Sequence, residues 1–255
     1  MKFFLASLIV TGASAFVPQR QLSSSTALFE TTEDLKSLAK ELNPVVGFYD
    51  PLNLAGDVGN EVFSQTEGIG WLRQAEIKHG RVAMAAFVGY VVQSNFHWPW
   101  PMTTAGDMFP SIDLSPEQQW DAIPLAAKGQ ILGVVGALEF WDEIGGGTNP
   151  ATGEPYLPHY TKGRKPGQFP SFQNIRDNIH WTADLYDPLG WYKDATEEDK
   201  AKGLKAEINN GRLAMLAIMA FISEDQIAGS VPGVLKDIAT PYEGGLPLDP
   251  FNGAF

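Results

Sequence analysis

"AEIKHGRVAM", Ala75 to Met84, sets a carboxylate, an imidazole and a guanidinium just ahead of an apolar run. A second stretch, "AEINNGRLAM", Ala206 to Met215, matches it at seven of ten positions. The surroundings repeat as well. "DPL" stands at Asp50–Leu52 and again at Asp187–Leu189, each ahead of one copy of the pattern E-x-x-[HN]-G-R-x-A-M. Apolar residues at helical spacing continue each copy into a long helix, expected over about 69–92 and 204–226. A third expected helix, "PLAAKGQILGVVGALEFW" over about 124–141, stands alone between them. The repeat unit is too long, and occurs too few times, for a solenoid. The expectation is an all-α fold in which the first and third helices cross as a pseudo-two-fold pair.

Outside these helices the chain is mostly punctuation. Residues 30–65 are polar and turn-rich, with one short amphipathic helical candidate at "EDLKSLAKEL". The segment 94–123 is rich in Pro and aromatic residues and reads as a loop. "GGGTNPATGEP" and "TKGRKPGQFP" are further loop signals, and a Pro/Gly-rich tail closes the chain.

Composition removes several function classes. The 255 residues carry a net charge of -12, against the basic face that nucleic acid requires. There is no cysteine, hence no disulfide, thiolate metal site or thiol catalysis. The N-terminus carries targeting information. Lys2, the apolar "FFLASLIV" and the small residues Ala13 and Ala15 have the layout of a cleavable signal over 1–15. Residues 16–29 are Ser-rich, without acid and with one Arg, in the manner of a plastid transit segment. An ordinary secreted protein is the alternative reading of this leader. Residues 30–255 form the expected mature domain.

Two observations place the three helices in a membrane. The uninterrupted apolar runs, such as "VAMAAFVGYVV" and "LAMLAIMAFI", are short. With its polar lead-in, however, each helix reaches ~20 residues, enough to cross ~30 Å. Flanking charge is also asymmetric. Residues 94–123 contain no Lys or Arg, whereas 141–204 hold Lys162, Arg164, Lys165, Arg176, Lys193, Lys200 and Lys202. Three spans would put that basic loop and the N-terminus on one side, and Lys36 and Lys40 fall there too. Lys128 is the one cation on the other side.

The motif then reads as chemistry. Glu76 and His79 lie three residues apart on nearly one helix face. Glu207, Asn210 and Arg212 repeat Glu76, His79 and Arg81. Charges taken out of water must be paired. The reciprocal solution pairs Glu76 with Arg212 and Glu207 with Arg81, over a close crossing at Gly80, Ala83, Gly211 and Ala214. Carboxylate lone pairs, His79 and Asn210 are then left as outward electron-pair donors. Such donors suit a magnesium held in a macrocycle that supplies four nitrogens and two negative charges, as in chlorophyll. A purely structural ion pair and a satisfied core histidine remain as alternatives. E-x-x-H is also half of a di-iron carboxylate signature, but the second copy carries Asn210 where that site needs His.

Together, "EIKHGRVAM", "EINNGRLAM", the two DPL turns and the lone middle helix resemble the light-harvesting chlorophyll-binding family over about residues 50–232. With the leader, the chain is most similar to the fucoxanthin chlorophyll a/c-binding members of red-lineage algae. The resemblance implies a non-enzymatic antenna subunit, multi-pass in the plastid thylakoid membrane with a stromal N-terminus. It implies chlorophyll a, chlorophyll c, fucoxanthin and further xanthophylls as cofactors. Thylakoid lipids, a photosystem I or II core and other antenna subunits are the implied partners. A photoprotective quencher of the same family and a pigment-free membrane scaffold are rival readings.

Residue by residue, the resemblance makes Glu76, His79, Glu207 and Asn210 magnesium ligands, with Arg81 and Arg212 in structural ion pairs. Glu139 in "GALEF" and Glu224 fall at further ligand positions, and Gln130 lies one residue off such a position. Gln93, His97 and His180 are weaker candidates in aromatic interfacial settings. The DPL segments are implied to line grooves for two carotenoids. The acids Asp107, Asp113, Glu117 and Asp121 fall in the expected lumenal loop, as solvated side chains or as proton sensors.

Overall fold

A computed structural model describes residues 30–56, 64–192, 194–231 and 242. The expected signal and transit segments, 1–15 and 16–29, lie outside the described residues. Among the described residues all regular elements are helical: α1 Thr32–Leu42, α2 Gln65–Asn95, α3 Pro116–Ala122, α4 Leu125–Glu143, a 3-10 turn Tyr160–Lys162, α5 Gln173–Asn178 and α6 Glu197–Gln226.

Local capping sets where the helices start. Thr31 and Asp34 form a reciprocal box at α1, with the Thr31 amide donating to Asp34 Oδ2 at 2.8 Å. The Ser64 amide donates to Glu67 Oε2 at 2.8 Å at the start of α2. Thr196 accepts from the Asp199 amide at 3.1 Å, and Glu197, Glu198 and Asp199 place negative charge at the positive end of α6.

These caps explain where the elements differ from the expectation. α2 and α6 begin four and seven residues before the expected 69 and 204. Their first turns are polar, so apolar periodicity does not report them. Within the expected loop 94–123 lies α3, nucleated by Ser115, Pro116 and Gln118; the Ser115 amide donates to Gln118 Oε1 at 3.1 Å.

The packing centre is the crossing of α2 and α6. Ile77, Gly80 and Ala83 are buried on α2, and Ile208, Gly211 and Ala214 on α6, which are the same three positions of the two motif copies. A β-carbon added to Gly80 would lie 3.1 Å from the Gly211 α-carbon, and one added to Gly211 2.9 Å from the Gly80 α-carbon, so a side chain at either position would push the helices apart. Farther along, Phe221 stacks on Tyr90 and Phe87 with ring centroids 4.8 and 5.5 Å apart.

The middle helix α4 is held differently. Its buried residues are Lys128 and Asp142, near its two ends. Lys128 donates to the Asp121 carbonyl at 3.3 Å and lies over the Trp120 ring. Asp142 accepts from Gln74 Nε2 at 3.1 Å and pairs with Lys78 at 2.7 Å and Arg164 at 2.9 Å. Between these ends Ile131, Leu132, Val134 and Val135 are exposed. α4 ends in three left-handed glycines, of which Gly145 approaches the Leu157 carbonyl too closely for any β-carbon.

Among the described residues no single helix is long and apolar enough to cross a membrane by itself. α3 and α4 together pass that test, bent by 109° at their junction.

Candidate functional site

The crossing brings the ions of the two motif copies together. Glu76 Oε1 accepts from Arg212 Nε at 2.7 Å and Nη2 at 2.6 Å. Arg81 Nε donates to Glu207 Oε1 at 2.5 Å, and Arg81 Nη1 donates to the Gly167 carbonyl at 2.7 Å. The reciprocal pairing follows from helix geometry: with the glycines in contact, each arginine, one residue past its glycine, reaches the glutamate of the other helix.

The two halves are not equal. Glu76 Oε2 is also held by Arg73, whose Nε reaches Glu30 Oε2 at 3.0 Å. The repeat position of Arg73 is Leu204, so Glu207 has no second cation. Three cations and three anions therefore meet at the crossing. Arg73 and Glu30 went unrecognised in the sequence; the i, i+3 spacing from Arg73 to Glu76 was the signal available for the first of them.

His79 and Asn210 sit one turn from these glutamates and are exposed. His79 Nδ1 lies 2.8 Å from the Ala75 carbonyl, which can only accept, so Nδ1 is the donor and in the neutral ring Nε2 is the free electron-pair donor. On α4, Glu139 is half-exposed and its Oε2 accepts from Lys78 Nζ at 2.6 Å. Gln130 is exposed, nine residues earlier.

The remaining candidates are placed apart. Glu224 is buried, and its oxygens accept from the Gly229 amide at 2.6 Å and the Val231 amide at 2.9 Å. This carboxylate closes the turn after α6. His97 Nε2 lies 3.1 Å from both the Gln93 carbonyl and Gln119 Oε1, which ties the end of α2 to α3. The side chains of Gln93 and His180 are exposed, with His180 Nδ1 2.8 Å from the Trp181 carbonyl.

Both DPL turns use their aspartate in one way. Asp50 accepts from the Leu54 and Ala55 amides, each at 2.9 Å. Asp187 accepts from the Trp191 and Tyr192 amides at 2.6 and 2.9 Å. Beside the first turn lies a groove of about 500 Å3, lined by Leu35, Leu38, Phe48 and Tyr49 and by the charged Arg73, Glu76 and Arg212.

The donor set fits magnesium in a macrocycle. Glu76, His79, Glu139, Glu207, Asn210 and Gln130 are single donors of the kind that could take one axial position each, whereas the Glu224 oxygens are occupied by backbone amides. Among the described residues no group of three or more His, Cys, Asp or Glu side chains could hold a metal ion, so the di-iron alternative finds no donor set there.

A chain with two self-crossing E-x-x-[HN]-G-R helices and a loosely held third belongs to the chlorophyll A-B binding protein family, whose sequence pattern it matches over residues 34–226. Among its relatives is the fucoxanthin-chlorophyll a-c binding protein, chloroplastic, of Trieres chinensis, 33% identical over 240 residues covering 91% of this chain and 98% of the relative. The fucoxanthin-chlorophyll a-c binding protein F, chloroplastic, of Phaeodactylum tricornutum is 29% identical over the same shares. Protein E of Macrocystis pyrifera is 27% identical over 77% of this chain and 76% of its own length.

Proposed function

We propose that this chain is a light-harvesting antenna subunit of the plastid thylakoid membrane, which passes excitation to a photosystem core. It binds chlorophyll a, chlorophyll c and fucoxanthin, the pigments in its relatives' names, together with further xanthophylls. The pigments supply absorption and excited-state transfer; the protein supplies ligands, spacing and local field. Thylakoid lipids and other antenna subunits are its neighbours. The leader, 1–15 and 16–29, carries the chain into the plastid.

The observation that carries this reading is the reciprocal crossing. It neutralises four charges between two helices and turns His79 Nε2 and the Asn210 amide outward. Glu76, His79, Glu207, Asn210 and Glu139 would hold chlorophyll magnesium, with Gln130 as a further donor. Glu224 would have to release its backbone amides to do so. The groove beside Asp50 suits an elongated apolar carotenoid.

α2, α4 and α6 serve as the three spans, related as a pseudo-two-fold pair and a lone helix. Their 31, 19 and 30 residues reach about 46, 28 and 45 Å at ~1.5 Å per residue, against a hydrocarbon core of ~30 Å. Hydropathy undercounts α2 and α6 because their ions cancel in pairs. The basic loop 141–204 sets the N-terminus on the stromal side.

An absorption spectrum of the native protein, with chromatography of its extracted pigments, tests the reading. Chlorophyll a, chlorophyll c and fucoxanthin at fixed ratios to polypeptide are expected. A colourless native preparation overturns it.

A further inference from the structure

Glu139 raises a problem of charge that its own helix does not solve. Chlorophyll magnesium is already neutralised by its macrocycle, so a carboxylate ligand adds a net negative charge inside the membrane. Such a charge must be balanced nearby. Glu76 and Glu207 are balanced by Arg212 and Arg81, each supplied by the opposite helix. The cation of α4 itself is Lys128, eleven residues from Glu139 and about 16 Å away along the helix at ~1.5 Å per residue.

The cation that reaches Glu139 comes from α2. Lys78 Nζ lies 2.6 Å from Glu139 Oε2 and 2.7 Å from Asp142 Oδ2. Asp142 has a cation of its own, since Arg164 pairs with it at 2.9 Å. A third carboxylate, Glu143, lies farther from Lys78 at 3.9 Å and takes His159 Nε2 at 2.9 Å. With Arg164 on Asp142, the shortest contact of Lys78 is the one to Glu139. Glu139 Oε1 accepts no hydrogen bond among the described residues and Glu139 is exposed. One oxygen is therefore neutralised and the other is open.

The repeat supplies a second, independent observation. The two motif copies differ at three positions, and one of them is Lys78, whose counterpart is Asn209. Asn209 donates to the Leu42 carbonyl at 3.3 Å, facing α1 and no carboxylate. The lysine occurs in the copy whose helix faces α4, and a neutral amide replaces it in the other.

We propose that Lys78 is the counter-ion that fits Glu139 for axial ligation of a chlorophyll magnesium, a positioning residue acting across the gap between α2 and α4. This rests on the reading of Glu139 as a ligand.

The test is pigment reconstitution of the full chain, counting chlorophyll per polypeptide and recording difference spectra against the unsubstituted protein. Glu139→Ala loses one chlorophyll, and Lys78→Gln loses one with the same difference spectrum. Lys78→Arg and Asp142→Asn keep it. The deciding variant is Lys78→Gln with Glu139→Gln. An amide ligand is neutral and needs no counter-ion, so the double variant regains the chlorophyll, whereas a merely structural lysine predicts no rescue. If Lys78→Gln alone does not assemble, recovery in the double variant supports the proposal and its failure overturns it. A full chlorophyll complement in Lys78→Gln overturns it as well. A full complement in Glu139→Ala instead removes the ligand reading beneath it.

Discussion

Gly80 and Gly211 touch backbone to backbone, and a β-carbon on Gly211 would lie 2.9 Å from the Gly80 α-carbon. Everything at the crossing depends on that approach, because the reciprocal ion pairs close only when the helices are this near. Gly211→Ala gains ~1 kcal/mol of helix propensity but overpacks the contact, at ~1–3 kcal/mol. It also pulls both arginines from their glutamates. We expect a net loss of stability and lower reconstitution yield. Gly203→Ala is the control: it lies on the same helix with nothing within 4 Å, and should be neutral or stabilising. Thermal midpoints of the two variants check the contrast.

Removing either crossing arginine strands a glutamate, and the two should not be equivalent. Glu76 keeps Arg73 when Arg212 is lost, whereas Glu207 keeps no cation when Arg81 is lost. Breaking a fully buried pair costs ~3–5 kcal/mol, and the partial exposure here reduces that. Arg81→Leu is therefore expected to assemble less well than Arg212→Leu. Equal yields of pigmented protein would contradict this ordering.

His79→Leu should be milder than either. It removes the outward Nε2 donor and leaves both ion pairs in place. One chlorophyll fewer per polypeptide, with the helix content retained by circular dichroism, is the expected result.

The DPL aspartates each satisfy two backbone amides. Asp50→Ala leaves the Leu54 and Ala55 amides without these partners and loosens the wall of the adjoining groove. Lost hydrogen bonds of this kind cost ~0.5–1.5 kcal/mol each. The carotenoid-to-chlorophyll ratio should fall in Asp50→Ala by up to one carotenoid per polypeptide.

Stability should also depend on pH through α3. Glu117 is buried, which pushes its carboxyl up to about 7, with the neighbouring Asp225 of α6 adding to the rise. Around the pair, Tyr90 of α2 donates to Asp225 at 2.6 Å and Tyr242 donates to Asp121 at 2.7 Å. The folded protein keeps a proton that the unfolded chain releases in the ordinary carboxylate range. The stabilisation is complete at acid pH and is lost as pH rises through about 7. Thermal midpoints between about pH 5 and pH 8 should fall with rising pH, and Glu117→Gln should flatten that slope.

The crossing was legible in the sequence because it is written twice: a doubled Glu and Arg with glycine between them admits one reciprocal pairing. The extra turns of α2 and α6 were hidden because a first turn is decided by caps such as Thr196 and Asp199, not by apolar spacing. α3 was hidden by its seven residues, too few for a period, although Ser115 and Gln118 signal its start. The network of Gln74, Lys78, Asp142 and Arg164 depends on how α4 and the loop after it fold back on α2. No local spacing encodes that; the mismatch of Lys78 with Asn209 was the signal available for its lysine, and it went unread.

The tethering of α4 at Lys128 and Asp142 has a consequence for biogenesis. A rod pinned at both tips, with a bare midsection, has its separation from the other helices governed by whatever occupies the space between. On the proposed function, the cargo is the filler of that space, and the polypeptide by itself is an unfinished frame. Supply of pigment would then ration how much of this protein a cell can accumulate, since chains made in excess would stay open to proteases.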